Sequence, residues 1–290
     1  MATTFRPLRD TSTFRRIAAS MWRRPTDPTI YGFVDIDVTE TLGFIERFRA
    51  ATGKKLTMTH VVTRAVSRAF AAHPDLNAKV RFGGRLEARS SVDVFVSVAT
   101  AGGDLSGIKV DGADTLSLEA VVETTTQRVR ETRAGTDETY RRSRSTLAAT
   151  PWWCLRPLLW LTDMISNEVG LDLPGLGMPR DPFGTAVVTN VGTFGIDTAF
   201  APFVPLGRCP MLLLVTEVKK RPMVVGDAVV ARPVLRLCGT FDHRIIDGAQ
   251  AGLLADAIRA YVSDPASVDA AFAAPAEPSE RAEPRLAAAV

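Results

Sequence analysis

The chain has 290 residues, of which 46% are apolar and 23% are charged, and its formal net charge is +3. This composition is typical of a globular protein with one large or two small domains, and the small net charge argues against a nucleic-acid partner. The three cysteines are far apart without metal-ligand spacing, and the N-terminus lacks an apolar signal core. We therefore expect a metal-free protein of the reducing cytoplasm.

Helix and strand patterns alternate through the first half of the chain. Residues 1–11 are polar and predict an N-terminal arm. Helical patterns follow at 14–23, 39–51, 57–73 and 116–133, and strand patterns at 29–38 and 92–99. Thr39 is the predicted N-cap of its helix, with Leu42, Ile45 and Phe48 facing inward. His60 lies in a first helical turn, where a surface or interface histidine is more common than a ligand.

Strand patterns dominate the second half of the chain. They cover 185–191, 210–218 and 234–241, and the stretch 222–232 predicts a hairpin that turns at Gly226-Asp227. A final helical pattern spans 249–262, with one apolar face made of Leu253, Leu254, Ala257, Ile258 and Tyr261. The Ala/Pro/Glu-rich end predicts a disordered tail over 271–290. Interleaved strands and helices indicate an α/β fold with a mixed sheet.

The segment 151–176 contains three of the four tryptophans. A membrane span needs about 20 apolar residues, and Arg156, Pro157 and Asp163 interrupt this segment too early. The favoured interpretation is a helix packed on the core or on a neighbouring subunit. Two alternatives stay open, namely an apolar wall for an acyl chain or acceptor, and a patch that docks a partner or a membrane face. Membrane contact through 151–176 is not expected.

The most informative motif runs from His243 to Gly248, between a strand and a helix. A histidine at such a corner has a fixed backbone and a ring free to act as a general base. Asp247-Gly248 is also ordinary turn chemistry, so that Asp247 could simply cap the next helix. In the functional interpretation, Asp247 holds the loop or a partner arginine so that His243 keeps one orientation.

The longer string from Gly239 to Ala249, Gly-Thr-Phe-Asp-His-Arg-Ile-Ile-Asp-Gly-Ala, resembles the active-site signature of the dihydrolipoamide acyltransferases. These enzymes form the catalytic core of 2-oxoacid dehydrogenase complexes and share their fold with chloramphenicol acetyltransferase. Three further stretches resemble the family in the same order: Arg15-Arg16-Ile17-Ala18 with Met21, then 55–77, and then 184–195. The resemblance implies a chloramphenicol acetyltransferase-like α/β fold, with a mixed sheet flanked by helices, over a catalytic domain at 12–270.

The resemblance also implies roles for individual residues. His243 would be the general base and Asp247 would order its loop, with Arg15 or Arg16 as an ion partner. Thr189 would bind the oxyanion, with Asn190 and Gly192 in its neighbourhood. The implied enzyme is a homotrimer with active sites between subunits. It would move an acyl group between coenzyme A and a thiol acceptor, either a lipoyl group on a separate protein or a small molecule, without a metal.

The chain also departs from the family pattern. Residues 102–110 replace an apolar-Pro-apolar stretch that lines the CoA side, and 136–182 differs in length and character. Lipoyl and subunit-binding domains are not recognised, so we expect a stand-alone trimer. These departures leave a second hypothesis open: a non-catalytic trimeric scaffold that retains the acyltransferase fold.

Overall fold

The computed structural model describes residues 27–99, 105–134, 145, 150–173, 181–204 and 207–269. The predicted arm at 1–11, the predicted helix at 14–23 and the predicted tail at 271–290 lie outside these residues. The structure therefore describes the part of the chain between the predicted N-terminal helix and the predicted tail.

Nine strands and five α-helices make up the described part of the chain. The strands are β1 (Thr29–Asp37), β2 (Ala78–Val80), β3 (Leu86–Ala88), β4 (Val94–Ala99), β5 (Leu105–Val110), β6 (Ala186–Asn190), β7 (Met211–Val215), β8 (Lys219–Val225) and β9 (Ala228–Asp242). The helices are α1 (Thr39–Thr52), α2 (Met58–Ala72), α3 (Leu118–Ala134), α4 (Trp152–Asp163) and α5 (Gly248–Ser263). A π-helical turn, Met164–Val169, extends α4.

Seven strands form one mixed sheet in the order β1-β9-β7-β6-β4-β5, with β8 paired to the first half of β9. The β4-β6 and β6-β7 pairs are parallel, and the other pairs are antiparallel. The predicted hairpin at Gly226-Asp227 is confirmed. Strand β5 was not predicted: Leu105–Val110, interpreted from the sequence as a loop, pairs along the whole of β4.

Alternate residues of each strand supply two separate cores. On one face, Ala186 and Val188 of β6 pack in the main core with helix residues such as Phe44, Phe48 and Phe70. On the other face, the smaller cluster is formed by Val187, Cys209, Leu212, Leu214 and Cys238, against which Phe183 and Phe203 pack. Because strand side chains alternate between faces, both sides of the central strands are apolar.

Two inward positions and one N-cap predicted from the sequence are corrected by the structure. Leu42 and Leu253 are 38% and 52% exposed, because their faces of α1 and α5 turn away from the sheet. Thr39 is not an N-cap. It is the first residue of α1, and the Asp37 carboxylate accepts hydrogen bonds from its N–H and its hydroxyl at 2.9 and 2.6 Å.

Two tryptophans of helix α4 lie at the surface. Trp153 and Trp160 are 66% and 64% exposed, whereas Thr162 is buried. An ion pair of 2.6 Å between Asp163 and Arg208 fixes the end of the helix to the body of the domain. None of the described helices is long and apolar enough to cross a membrane.

The burial of two phenylalanines predicts very different losses of stability when each is replaced by alanine. Phe70 is fully buried, so Phe70→Ala should leave a cavity and lower the free energy of unfolding by about 3–5 kcal/mol. Phe82 is 83% exposed, so Phe82→Ala should change it by less than about 0.5 kcal/mol. Urea unfolding of both variants beside the wild type measures the difference, and equal losses would contradict the core described above.

Candidate active site

The backbone at His243 is fixed from both sides, and its side chain is exposed. Its N–H donates to the Pro28 carbonyl at 2.9 Å, which ties the end of β9 to the start of β1. The Asp242 carbonyl accepts from the N–H groups of Ile245 and Ile246, each at 2.9 Å. The ring itself makes no hydrogen bond with the residues that the structure describes. The backbone thus fixes the place of the residue, while the ring stays open to a substrate, as a general base requires.

A carboxylate–guanidinium pair brackets the histidine. The buried Asp242 carboxylate accepts from the Arg244 N–H at 3.0 Å and from its Nε and Nη2 atoms at 2.9 and 2.7 Å. The pair closes a tight loop around His243, because its two partners are the residues immediately before and after it. The sequence analysis did not predict this ion pair, although an acidic and a basic residue flank the histidine in the motif.

Asp247 caps the helix that follows. Its carboxylate accepts from the Gln250 N–H at 2.9 Å, and the Gln250 side chain accepts from the Asp247 N–H at 2.8 Å. This reciprocal pair is a capping box, so Asp247 orders the loop by starting α5. The suggested ion partners, Arg15 and Arg16, lie outside the described residues.

Thr189 and its neighbours form a second polar group, at the end of β6. Asn190 Nδ2 donates to Thr59 Oγ1 at 2.9 Å, and its Oδ1 accepts from the Gly192 N–H at 3.0 Å. A Cβ at Gly192 would lie 2.5 Å from the Thr216 carbonyl oxygen, so only glycine fits there. The amide of Asn190 is therefore occupied in holding the turn. The Thr189 hydroxyl makes no hydrogen bond within the described part of the chain.

His60, for which the sequence predicted a surface or interface position, lies next to Thr59 and is buried within the chain. It is buried in the first turn of α2, where Nδ1 accepts from the Thr57 N–H at 3.2 Å. Burial lowers the pKa of His60 to about 4, so its ring is neutral near pH 7. It stabilises the helix start that presents Thr59 to Asn190.

The sheet register separates the two polar groups within one chain. Thr189 pairs with Leu214, which pairs with Cys238, so the three residues lie side by side. Asp242, the last residue of β9, is four residues beyond Cys238, or roughly 13 Å along the strand. In the perpendicular direction, β9 and β6 are two strand spacings apart, or about 10 Å. His243 follows at that far end. One reacting carbon cannot contact both side chains of the same chain.

No group of three or more His, Cys, Asp or Glu side chains that could hold a metal occurs among the described residues. The groups available at the two sites are an imidazole, a hydroxyl and backbone amides. These groups are suited to proton transfer and to oxyanion binding.

Comparison with known proteins assigns the chain to a family. The model of the 2-oxoacid dehydrogenases acyltransferase (catalytic domain) family matches residues 6–147 and 183–269. The chain belongs to this family. The match covers both polar groups and leaves out 148–182, the segment that contains α4.

Individual relatives agree with the family assignment. The chain is 27% identical over 221 residues to the dihydrolipoyllysine-residue acetyltransferase component of the acetoin cleaving system of Bacillus subtilis, covering 74% of this chain and 44% of that protein. It is 26% identical over 266 residues to the corresponding component of the pyruvate dehydrogenase complex of Zymomonas mobilis, covering 89% and 50%. The chain thus spans about half the length of the curated relatives it matches.

Solved structures confirm the predicted fold. A probable dihydrolipoamide acetyltransferase from Listeria monocytogenes aligns with a TM-score of 0.61 at 20% identity, covering 90% of this chain and 95% of that one. At this identity the likeness shows the shared fold, a mixed sheet flanked by helices.

The buried His60 predicts a pH dependence of stability. Its pKa is depressed from 6.5 to about 4 in the folded chain, so the unfolded state binds the proton first. This contribution to stability is full above pH 6.5 and is lost as the pH falls towards 4, by about 2–3 kcal/mol. Urea unfolding at pH 7 and pH 4.5 measures it.

His60→Gln is the matched variant, because glutamine at this helix position completes a capping box without titrating. The difference in unfolding free energy between wild type and variant should shrink or reverse at pH 4.5. A difference that is the same at both pH values would refute the assignment to His60.

Proposed function

We propose that this chain is a CoA-dependent acyltransferase whose active site is completed by a second copy of the chain. The observation that carries the proposal is the separation of His243 and Thr189 at opposite ends of one sheet. Neither side chain makes a hydrogen bond with the residues that the structure describes, and both sit on fixed backbone. Two copies arranged head to tail bring the histidine end of one next to the threonine end of the other. In a closed ring, this arrangement gives the homotrimer that the family resemblance implies.

The reaction needs one base and one oxyanion donor. His243 removes the proton from a thiol acceptor, and the resulting thiolate attacks the carbonyl carbon of an acyl-CoA thioester. The tetrahedral oxyanion accepts a hydrogen bond from the Thr189 hydroxyl of the neighbouring copy. When the intermediate collapses, the bond to the CoA sulfur breaks and the departing thiolate takes the proton from the His243 ring. The same steps run backwards from an acylated thiol to CoA.

The surrounding residues position these two groups. Asp242 and Arg244 hold the loop of the base, and Asp247 starts the helix that follows it. Asn190 and Gly192 hold the turn beside Thr189. The names of the relatives specify dihydrolipoyllysine as the acyl acceptor or donor. We propose a lipoyl group on a separate protein as the thiol partner, with free dihydrolipoamide as its small-molecule substitute.

Single substitutions test the two chemical roles. With acetyl-CoA and dihydrolipoamide, His243→Ala should lower kcat by about 10²–10⁴-fold, because the base is lost. Thr189→Val keeps the side-chain shape without the donor and should lower kcat by about 10²–10³-fold. Steady-state kinetics measure both variants. A wild type that binds CoA without transfer, and variants that are no different, would favour the scaffold alternative.

Mixing the two variants tests the shared site. If His243→Ala and Thr189→Val chains are produced together in equal amounts, about one quarter of the sites combine an intact histidine with an intact threonine. Activity should return to roughly that fraction of wild type. A mixture of His243→Ala with the double variant is the control and should stay inactive, since no chain supplies the base. A first mixture that also stays inactive would place both groups in one chain and refute the shared site.

A further inference from the structure

A cavity of about 140 Å³ lies between helix α5 and the sheet, and one of its walls, Phe241, adjoins Asp242. Met211, Leu213 and Leu237 line it from β7 and β9, and Leu254 and Ile258 line it from α5. None of the described residues that line it is charged or has a polar side chain. Apolar cavities of about this size accept small apolar molecules such as benzene.

One glycine on the floor explains why the cavity exists. Gly32 of β1 pairs directly with Gly239 of β9. Gly239 is required by packing, because a Cβ there would lie 2.7 Å from the Phe241 ring. Gly32 has no such reason, since a Cβ there would meet no atom within 4 Å. It shares a strand face with Ile36, which packs in the main core, so a side chain at this position would enter the cavity.

A second glycine keeps the rim of the cavity open. Gly252 lies inside α5, is solvent-exposed and lines the cavity. A Cβ at Gly252 would also meet no atom within 4 Å. Glycine in a helix or strand interior is less stable than a residue with a side chain. A side chain would fit at both Gly32 and Gly252. Because both residues are glycines, the cavity stays open.

We propose that this cavity binds a short hydrocarbon group, of the size of benzene or of a chain of about four to six carbons. The group comes either from a free apolar molecule or from the acyl chain of a thioester. The second source rests on the proposed function, and Phe241, a cavity wall two residues before His243, makes it worth testing.

The test uses methionine methyl groups as reporters in the full chain labelled with ¹³C at these methyls. Met211 lines the cavity and is fully buried, whereas Met223 lies on β8, outside the cavity. Benzene should shift the Met211 methyl resonance saturably and leave Met223 unchanged. Absence of a saturable Met211 shift up to the solubility limit of benzene would overturn the proposal.

Substitutions assign the shift to the cavity. Gly32→Val fills the floor and should abolish the Met211 response, and Gly252→Leu provides the same test from the rim if the first variant does not fold. Gly43→Ala is the matched control, because it adds a methyl group to a helical glycine in α1 and should leave benzene binding intact. A Met211 response that persists in folded Gly32→Val and folded Gly252→Leu would overturn the proposal.

Hexanoyl-CoA and acetyl-CoA distinguish the two sources. A Met211 shift with hexanoyl-CoA and not with acetyl-CoA identifies the acyl chain as the occupant. A shift with benzene alone identifies a free apolar molecule. Binding is read without turnover, so loss of transfer activity in His243→Ala leaves this result unaffected, and a failed benzene titration leaves the acyltransferase proposal intact.

Discussion

The register of strand β9 is the constraint on which the site depends. This strand has 15 residues and pairs with β8, β1 and β7 along its length. Leu237 packs in the main core, on the helix side, and Cys238 packs in the second core. A slip by one residue would therefore move each set of apolar side chains into the core that the other set fills. The register is therefore fixed by burial, and it determines where the chain leaves the sheet and where His243 lies.

The two ends of the sheet follow the same design. At each end, one polar side chain has no hydrogen-bond partner in the described part of the chain, while its neighbours are hydrogen-bonded. Asp242 and Arg244 bond to each other around His243, and Asn190 bonds to Thr59 and Gly192 beside Thr189. Satisfied neighbours make the backbone rigid, so the free imidazole and the free hydroxyl lose little freedom when a substrate arrives. This is the arrangement that transition-state binding requires.

The family model matches the residues at both ends of the sheet. The segment 148–182 lies outside the family match, and within it α4 places Trp153 and Trp160 at the surface. Its anchoring is electrostatic: Arg208 pairs with Asp163 and with Glu168, and Glu168 also bonds to Arg81. The end of α4 is thus held to the body of the domain by ion pairs.

Local patterns were enough to predict most helices and strands, the hairpin at Gly226-Asp227 and the histidine at a strand-to-helix corner. These features depend on side-chain periodicity and turn residues, which neighbouring positions in the sequence already contain. Residue-level burial was less predictable. Leu42 and Leu253 fit an apolar helix face, and His60 resembled a surface residue, because the angle at which a helix meets the sheet is not encoded in its own periodicity.

The tertiary structure alone decided which polar groups act together. From the sequence, Asp247 was expected either to cap the next helix or to order the loop of the base with Arg15 or Arg16. The structure shows the capping box of Asp247 and, in addition, the Arg244–Asp242 pair that holds the loop, while Arg15 and Arg16 lie outside the described residues. Likewise, the sequence named His243 and Thr189 as two parts of one site. The family resemblance implied that they meet across a subunit interface. The pairing of β6, β7 and β9 supplies the geometry, with the two residues at opposite ends of one sheet, because strand direction and register are properties of long-range hydrogen bonding.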